Sequence, residues 1–145
     1  MGRSASPGKA LLTRPAGDIE LIVGLGTDIA EIDRIEKAIG RHGDNFLRRI
    51  FTPQEMAYCD RHRNRAERYA ARFAAKEAAM KALGTGWRKG VRWLDIEVVR
   101  APEGKPTLRL AGRAAEFAKE LGVRNISMTI THSGNTALAH VIFEN

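Results

Sequence analysis

The 145-residue chain has little cysteine, few aromatic residues and no long apolar run, and each shortage excludes a class of protein. The single cysteine, Cys59, cannot build a disulfide framework or a cysteine-rich zinc site, so we expect a reducing, cytoplasmic environment. No apolar stretch approaches the roughly 20 residues that a membrane-spanning helix needs. Because aromatic residues make up only 6%, aliphatic side chains and alanine must form most of the core.

The remaining composition is that of one globular domain. Apolar residues account for 43% and charged residues for 28% of a 16.0 kDa chain, which is enough for a single core. Residues 1–18 are rich in glycine, serine, proline, alanine and basic residues, without periodicity and without the apolar segment of a secretory signal. We therefore predict a flexible extension over 1–18, native or left by cloning, and one domain over 19–145.

Basic residues outnumber acidic ones by 24 to 17, so the net charge is +7. Such a surplus indicates a polyanionic partner: nucleic acid, an anionic membrane, a phosphate-rich small molecule or an acidic protein. A nucleic-acid-binding domain is the alternative from a different class, and it would interleave basic and aromatic residues on an exposed sheet. The predicted strands carry almost no aromatic residues, so we expect no nucleic-acid partner. The lack of a long apolar run leads us to expect no membrane partner either.

Periodicity and turn signals predict the order β-α-α-α-β-β-α-β-β. A helix begins at Thr52, with Pro53 at its first position and Glu55 completing a capping box. The longest helix, over 66–83, ends at Gly84, and a hairpin turns at Ser133-Gly134. Hairpins beside helices favour an α+β fold with a largely antiparallel sheet and a long central helix.

Gly24, Gly26 and Asp28 share one face of the first predicted strand, because side chains alternate along a strand. Two glycines free that face of side chains, so another element or a ligand can approach closely, and Asp28 points into the same space. The alternative is a glycine pair that serves packing only, with Asp28 starting a turn. A dinucleotide-binding fingerprint is excluded, because Ile29 occupies its third glycine position.

Glu77 falls roughly 40° from Phe73 on the long helix, inside the apolar arc, and Lys81 follows one turn later. A carboxylate among core residues is costly unless a cation or a metal neutralises it. One interpretation is a Glu77–Lys81 pair at i,i+4. The other is a metal ligand followed by a phosphate-binding lysine. Asp28 and Glu77, from different elements, would suit Mg²⁺, which takes one or two carboxylates together with waters and substrate phosphates.

Two further patterns leave open alternatives. His132, at the end of a predicted strand between Thr131 and Ser133, is either a core histidine or a hydrogen-bond donor to a phosphate or nucleotide. Arg34, Lys37 and Arg41 lie on one side of the first helix. They form either a solvated face or a docking surface for an acidic protein.

Five segments, in this order, resemble one family, the holo-(acyl-carrier-protein) synthases, which are the small bacterial class of phosphopantetheinyl transferases. The segments are GLGTDIAEIDRI (24–35), RRIFTPQEMAYC (48–59), RFAAKEAAMKALGTG (72–86), GKP (104–106) and ITHSGNTALAHVI (130–142). The resemblance covers about residues 20–145. Residues 1–19 precede the usual start of the family, and Gly134-Asn135 replaces a hairpin that is often more polar or charged.

The resemblance implies an enzyme that transfers 4′-phosphopantetheine from coenzyme A to a serine of apo-acyl carrier protein, for fatty acid biosynthesis. It assigns Asp28 and Glu77 to Mg²⁺ and to catalysis, and Lys81 to catalysis beside the pyrophosphate of coenzyme A. The base is left open between Glu77 and a water ligand of the metal. It further implies homotrimers with active sites between subunits. Its remaining assignments are coenzyme A binding by Arg72, Gly84, Thr85, Gly86, Thr131, His132 and Ser133, and carrier-protein docking by Arg34, Arg41 and Arg49.

Overall fold

A computed structural model describes residues 21–86 and 89–145, so the predicted extension over 1–18 lies outside the described residues. The observed order confirms the predicted α+β class and the sequence β-α-α-α-β-β-α-β-β. The elements are β1 (Ile22–Glu31), α1 (Ile32–Ile50), α2 (Pro53–Asp60), α3 (Arg65–Leu83), a short 3₁₀ helix (Trp93–Asp95), β2 (Ile96–Arg100), β3 (Pro106–Leu110), α4 (Gly112–Leu121), β4 (Asn125–Ser133) and β5 (Thr136–Glu144).

All described strand pairs are antiparallel, as predicted, but they form two sheets. A three-stranded sheet has the order β1-β5-β4, and β2 and β3 form a separate hairpin. Central strand β5 alternates buried and half-buried residues, which places one face of the larger sheet against α3. That face consists of Ala137, Ala139, Val141 and Phe143, all fully buried. Within the described segments, no helix is long and apolar enough to cross a bilayer.

Helix α1 is interrupted at Gly43, where the sequence predicts a helix stop followed by a short helical turn. Gly43 has φ 55° and ψ −137°, a left-handed backbone that glycine adopts without steric cost. The chain resumes helical geometry immediately and continues to Ile50. The two halves of α1 therefore present their side chains in different directions.

Asn135, in the turn between β4 and β5, caps the start of α1 from the far end of the chain. Its side-chain oxygen accepts a hydrogen bond from the Asp33 backbone N–H at 2.9 Å, and its amide donates to the Asp33 carboxylate at 2.8 Å. Its backbone carbonyl accepts from the Ile32 N–H at 2.8 Å. The amide hydrogen bond from Asn135 is the main reason that the pKa of Asp33 is lowered. The hairpin thus holds α1 against the end of β1.

Candidate functional site

Two glycines allow β1 to lie directly on α3. A Cβ atom at Gly26 would stand 1.8 Å from the carbonyl oxygen of Ala78, and one at Gly24 would stand 2.3 Å from that of Ala82. Both obstacles are helix backbone, so no side-chain movement could make room. The sequence left open whether another element of the fold or a ligand approaches this face. The structure shows that helix α3 does. Asp28, on the same strand face, is thereby brought to the surface of α3.

Asp28 and Lys81 meet at this contact. The Lys81 ammonium donates to Asp28 Oδ1 at 2.8 Å and to the Thr27 carbonyl at 3.0 Å. The Asp28 side chain is 12% exposed and that of Lys81 is 55% exposed, so the lysine closes the site on the solvent side. The hydrogen bond and charge of Asp28 raise the pKa of Lys81. The lysine therefore pairs with Asp28 on the neighbouring strand, in place of the simple i,i+4 pair with Glu77.

Glu77 and Asp28 form a carboxylate pair that lacks sufficient positive charge. Burial, followed by the hydrogen bond and charge of Asp28, raises the pKa of Glu77 to about 8, while Lys81 opposes the shift. The second oxygen of Asp28 is buried and has no hydrogen-bond partner among the described residues. A divalent cation would stabilise the charged form of Glu77 and would give the buried Asp28 oxygen a partner. Two carboxylates beside solvent fit Mg²⁺. Residues 21–86 and 89–145 hold no group of three acidic, histidine or cysteine side chains suited to a metal, so waters and substrate would complete its shell.

Arg72 lies in a second part of the molecule, a cavity of about 320 Å³ between α2, α3, the β2–β3 hairpin and β4. Its guanidinium stacks 3.9 Å from the centre of the Tyr58 ring, and Arg100 approaches the same ring at 5.0 Å. The Nε atoms of Arg68 and Arg72 are buried without hydrogen-bond partners among the described residues. These unsatisfied donors in an arginine-lined cavity suit a phosphate-bearing ligand.

His132 borders this cavity, and its Nε2 lies 2.9 Å from Glu67 Oε1. The His132 side chain is 57% exposed, so it is not a core histidine. Thr131 and Ser133 are also exposed, on the opposite face of β4 from His132. The strand-end motif is therefore divided between two faces of the sheet.

The carboxylate pair and the arginine cavity lie on different sides of α3. Arg72 and Glu77 are five positions apart, which separates them by roughly 140° around the helix axis. Asp28 and Lys81 are on the β1 side, whereas Arg72 and His132 are on the β4 side. One chain thus brings the predicted metal ligands together with Lys81 but keeps them apart from the predicted nucleotide contacts.

The segment Gly84-Thr85-Gly86 follows the last turn of α3, next to Lys81. Gly84 ends the helix in the left-handed conformation, with φ 77°, and its N–H donates to the Lys81 carbonyl. Thr85 is buried and its hydroxyl donates to the Gly86 carbonyl at 2.9 Å. Residues 87 and 88, which continue this loop, lie outside the described part of the chain.

The predicted docking arginines, Arg34, Arg41 and Arg49, are all exposed on α1. Arg49 also borders a cavity of about 360 Å³ that sequence reasoning missed. Its other lining residues are His42, Asn45, Phe46, Ile50 and Trp93. The lining residues of α1 lie on both sides of the break at Gly43, so no single helical period could have revealed the cavity.

Sequence reasoning also missed the most deeply buried charged pair. Glu77, expected among core residues, lies half-buried at the edge of α3, whereas its neighbour Lys76 is fully buried and contacts Glu55 at 2.6 Å. At about 100° per residue, Lys76 falls roughly 40° from the centre of the arc that Tyr69, Phe73 and Met80 define, and so lies on the same face of the helix. The available signal was this position of Lys76 within the apolar arc.

Two carboxylates and a lysine on one side of α3, with an arginine cavity on the other side, suit an enzyme that acts on a phosphate-containing substrate. The family model described as the 4′-phosphopantetheinyl transferase superfamily matches residues 24–139, and the chain belongs to that superfamily.

Individual relatives indicate a narrower class within the superfamily. The chain is 60% identical over 125 residues to a holo-(acyl-carrier-protein) synthase of Solibacter usitatus (strain Ellin6076), an alignment that spans 86% of this chain and 100% of the relative. Its fold is similar to that of a Neisseria meningitidis holo-(acyl-carrier-protein) synthase, with TM-score 0.77 and 35% identity, covering 86% of this chain and 100% of that one. It is similar also to the Helicobacter pylori synthase in complex with coenzyme A, with TM-score 0.72 and 33% identity, covering 82% and 98%.

Proposed function

We propose that this chain transfers the 4′-phosphopantetheine group of coenzyme A to a serine hydroxyl of an apo-acyl carrier protein, in support of fatty acid biosynthesis. The serine oxygen attacks the phosphorus next to the pantetheine arm, the bond from that phosphorus to the bridging oxygen breaks, and 3′,5′-ADP leaves. The observation that carries the proposal is the meeting of Asp28, Glu77 and Lys81 where β1 packs on α3. Gly24 and Gly26 permit that meeting, because a Cβ atom at either position would clash with the backbone of α3.

Each residue of this cluster has a distinct task in the proposed reaction. Asp28 and Glu77 are the groups that would hold Mg²⁺, which neutralises charge on a pyrophosphate when bound. Lys81, already within 2.8 Å of Asp28, offers a fixed positive charge to the departing 3′,5′-ADP. The serine proton must leave during attack, and Glu77 is our candidate for its acceptor.

The proposed coenzyme A pocket combines the two sides of α3 through neighbouring subunits. Asp28, Glu77, Lys81 and the Gly84-Thr85-Gly86 segment would come from one subunit. The arginine cavity would come from the next one. A homotrimer with interface sites accounts for the separation of these two groups within one chain. The nucleotide contacts that we assign to the neighbouring subunit are Arg72, Thr131, His132 and Ser133.

The outer face of the larger sheet supports subunit association. Leu25 and Ile29 are 56% and 59% exposed on β1, and their cross-strand partners Ile142 and Leu138 extend the same apolar surface. An apolar strip of this kind is stable in water when another protein surface covers it. Sedimentation equilibrium would report three times the chain mass for a trimer, and a monomer mass would contradict it.

A cytoplasmic location is part of the proposal. Cys59 is fully buried, and burial raises the pKa of its thiol to about 12, which suits a structural thiol that stays reduced.

Mass spectrometry tests the proposed reaction directly. Apo-acyl carrier protein is incubated with coenzyme A, Mg²⁺ and this protein, and the carrier is expected to gain the mass of phosphopantetheine. Addition of excess EDTA should suppress the gain, because the Asp28–Glu77 pair lacks a cation without added metal. An unchanged carrier mass in the presence of Mg²⁺ would refute the proposal.

Charge reversal at Arg41 tests the docking assignment. We expect Arg41→Glu to raise KM for the acidic carrier about tenfold and to leave KM for coenzyme A unchanged, because a like charge then faces the carrier. Arg113→Glu, an equal charge change on the exposed side of α4, is the matched control. Steady-state kinetics with each substrate varied in turn measures both constants. Equal increases for the two substrates would argue against docking by α1.

A further inference from the structure

The start of helix α1 receives no cap from the residues beside it. Glu31, at the N-cap position, makes no side-chain hydrogen bond to the helix. Position 34, where glutamate or glutamine would complete a capping box, holds Arg34. A positive charge in the first turn also opposes the helix dipole. The local sequence therefore favours fraying of this turn, although the acidic Asp33 suits it.

Asn135, 102 positions from Asp33, supplies the missing cap from the turn between β4 and β5. Its side-chain oxygen accepts from the Asp33 N–H, and its amide donates to the Asp33 carboxylate. Its backbone carbonyl accepts from the Ile32 N–H. A change of the Asn135 side chain removes the first two hydrogen bonds and leaves the third, so it loosens the first turn of α1 without detaching the hairpin.

This cap lies at the surface of the domain. Asp33, Arg34 and Asn135 are all exposed, whereas Ile35, the next residue of α1, is buried. Burial of Ile35 holds the helix on the domain with or without the cap. The cap instead determines how firmly the exposed side of the first turn is held, and that side carries Arg34.

We propose that Asn135 is a positioning residue that fixes the first turn of α1 and so presents Arg34 to the acidic carrier protein. The inference rests on the proposed function, since it requires a carrier that contacts Arg34. A cation on a fixed turn loses less conformational freedom on binding than a cation on a frayed turn. Asn135 itself touches neither substrate and acts only through α1.

The Asp33–Asn135 pair allows a test by exchange of its two side chains. Asn135→Ala removes both side-chain hydrogen bonds of the cap. The double variant Asp33→Asn/Asn135→Asp keeps the net charge, a carboxylate oxygen for the position-33 N–H and an amide donor facing a carboxylate. Asn125→Ala is the matched control, because it removes amide hydrogen bonds to Glu144 and Ser127 at the start of β4.

The kinetic readout is a division between the two substrates. We expect Asn135→Ala to raise KM for apo-acyl carrier protein about fivefold, the cost of ordering one or two side chains on binding. KM for coenzyme A and kcat should stay at the wild-type values. The double variant and Asn125→Ala should match the wild-type protein in all three constants.

Hydrogen exchange of the free protein reports on the cap without any substrate. Exchange over residues 32–35 should be faster in Asn135→Ala than in the wild-type protein and Asn125→Ala, and the double variant should return it to the wild-type rate. Unchanged exchange in Asn135→Ala would show that its side chain does not hold the turn, and would overturn the proposal.

The kinetic outcomes separate positioning from a purely structural role. Equal rises in both KM values, a fall in kcat alone, or a double variant as impaired as Asn135→Ala would each overturn the positioning role. If the wild-type protein does not modify the carrier, the proposed function is wrong and the role of Asn135 in docking is refuted with it. If the wild-type protein modifies the carrier and KM for the carrier is unchanged in Asn135→Ala, only the positioning role is refuted.

Discussion

Replacing Glu77 with glutamine is expected to lower the rate of phosphopantetheine transfer by about 100- to 1,000-fold, the usual cost of removing one charge-stabilising group. The amide keeps the shape of the side chain but cannot supply a negative charge to Mg²⁺. The fold should survive, because burial and Asp28 already raise the pKa of Glu77 to about 8 and a neutral side chain suits that site. The same mass assay on the carrier, followed in time, gives the rate.

The matched control is Glu120→Gln, the same chemical change at an exposed position of α4. It should retain wild-type activity. Thermal unfolding of both variants should resemble that of the wild-type protein, which separates loss of chemistry from loss of structure. Wild-type turnover by Glu77→Gln would remove this carboxylate from the proposed metal site.

Replacing Gly26 with alanine is expected to have the largest effect on stability. The added Cβ would meet the Ala78 carbonyl oxygen at 1.8 Å and two further backbone atoms of α3 within 2.9 Å. Strand and helix must separate, and overpacking of this kind costs about 3 kcal/mol or more. Since a domain is stable by only about 5–15 kcal/mol, we expect a fall in Tm large enough to reduce the yield of folded protein.

Gly40→Ala is the control for this substitution, because nothing lies within 4 Å of a Cβ at Gly40. Gly40 is exposed on α1, where alanine is the better helix former by about 1 kcal/mol. Its Tm should equal or exceed that of the wild-type protein. An unchanged Tm for Gly26→Ala would mean that β1 does not press on α3 as described.

Local features of this protein were predictable because their causes are local. The capping box at Thr52 and Glu55, the helix end at Gly84 and the break at Gly43 each depend on residues within one or two turns. The glycine-bearing face of β1 was likewise visible from the two-residue period of a strand. What that face packs against was not visible, because strand periodicity describes one element and contains no information about its partner.

The candidate site, which α3 divides into two parts, shows the same limit of prediction from sequence. Helical spacing correctly placed Glu77 and Lys81 on one edge and could have placed Arg72 on the other. It could not show that Asp28, 53 positions from Lys81, reaches that edge, whereas His132 borders the opposite side. The order of strands β1-β5-β4 decides this, and strand order depends on contacts between distant segments.

The sequence by itself determined the order of the elements, several of their ends and the residue types available for the proposed chemistry, since these follow from backbone preference and short-range periodicity. Only the tertiary structure decided which residues meet: Lys81 with Asp28, Lys76 with Glu55, and Arg72 with Tyr58. The physical reason is that Lys76 and Glu77 are neighbours on a helix buried on most of its surface. Which of the two charges becomes fully buried depends on what packs on each side of that helix.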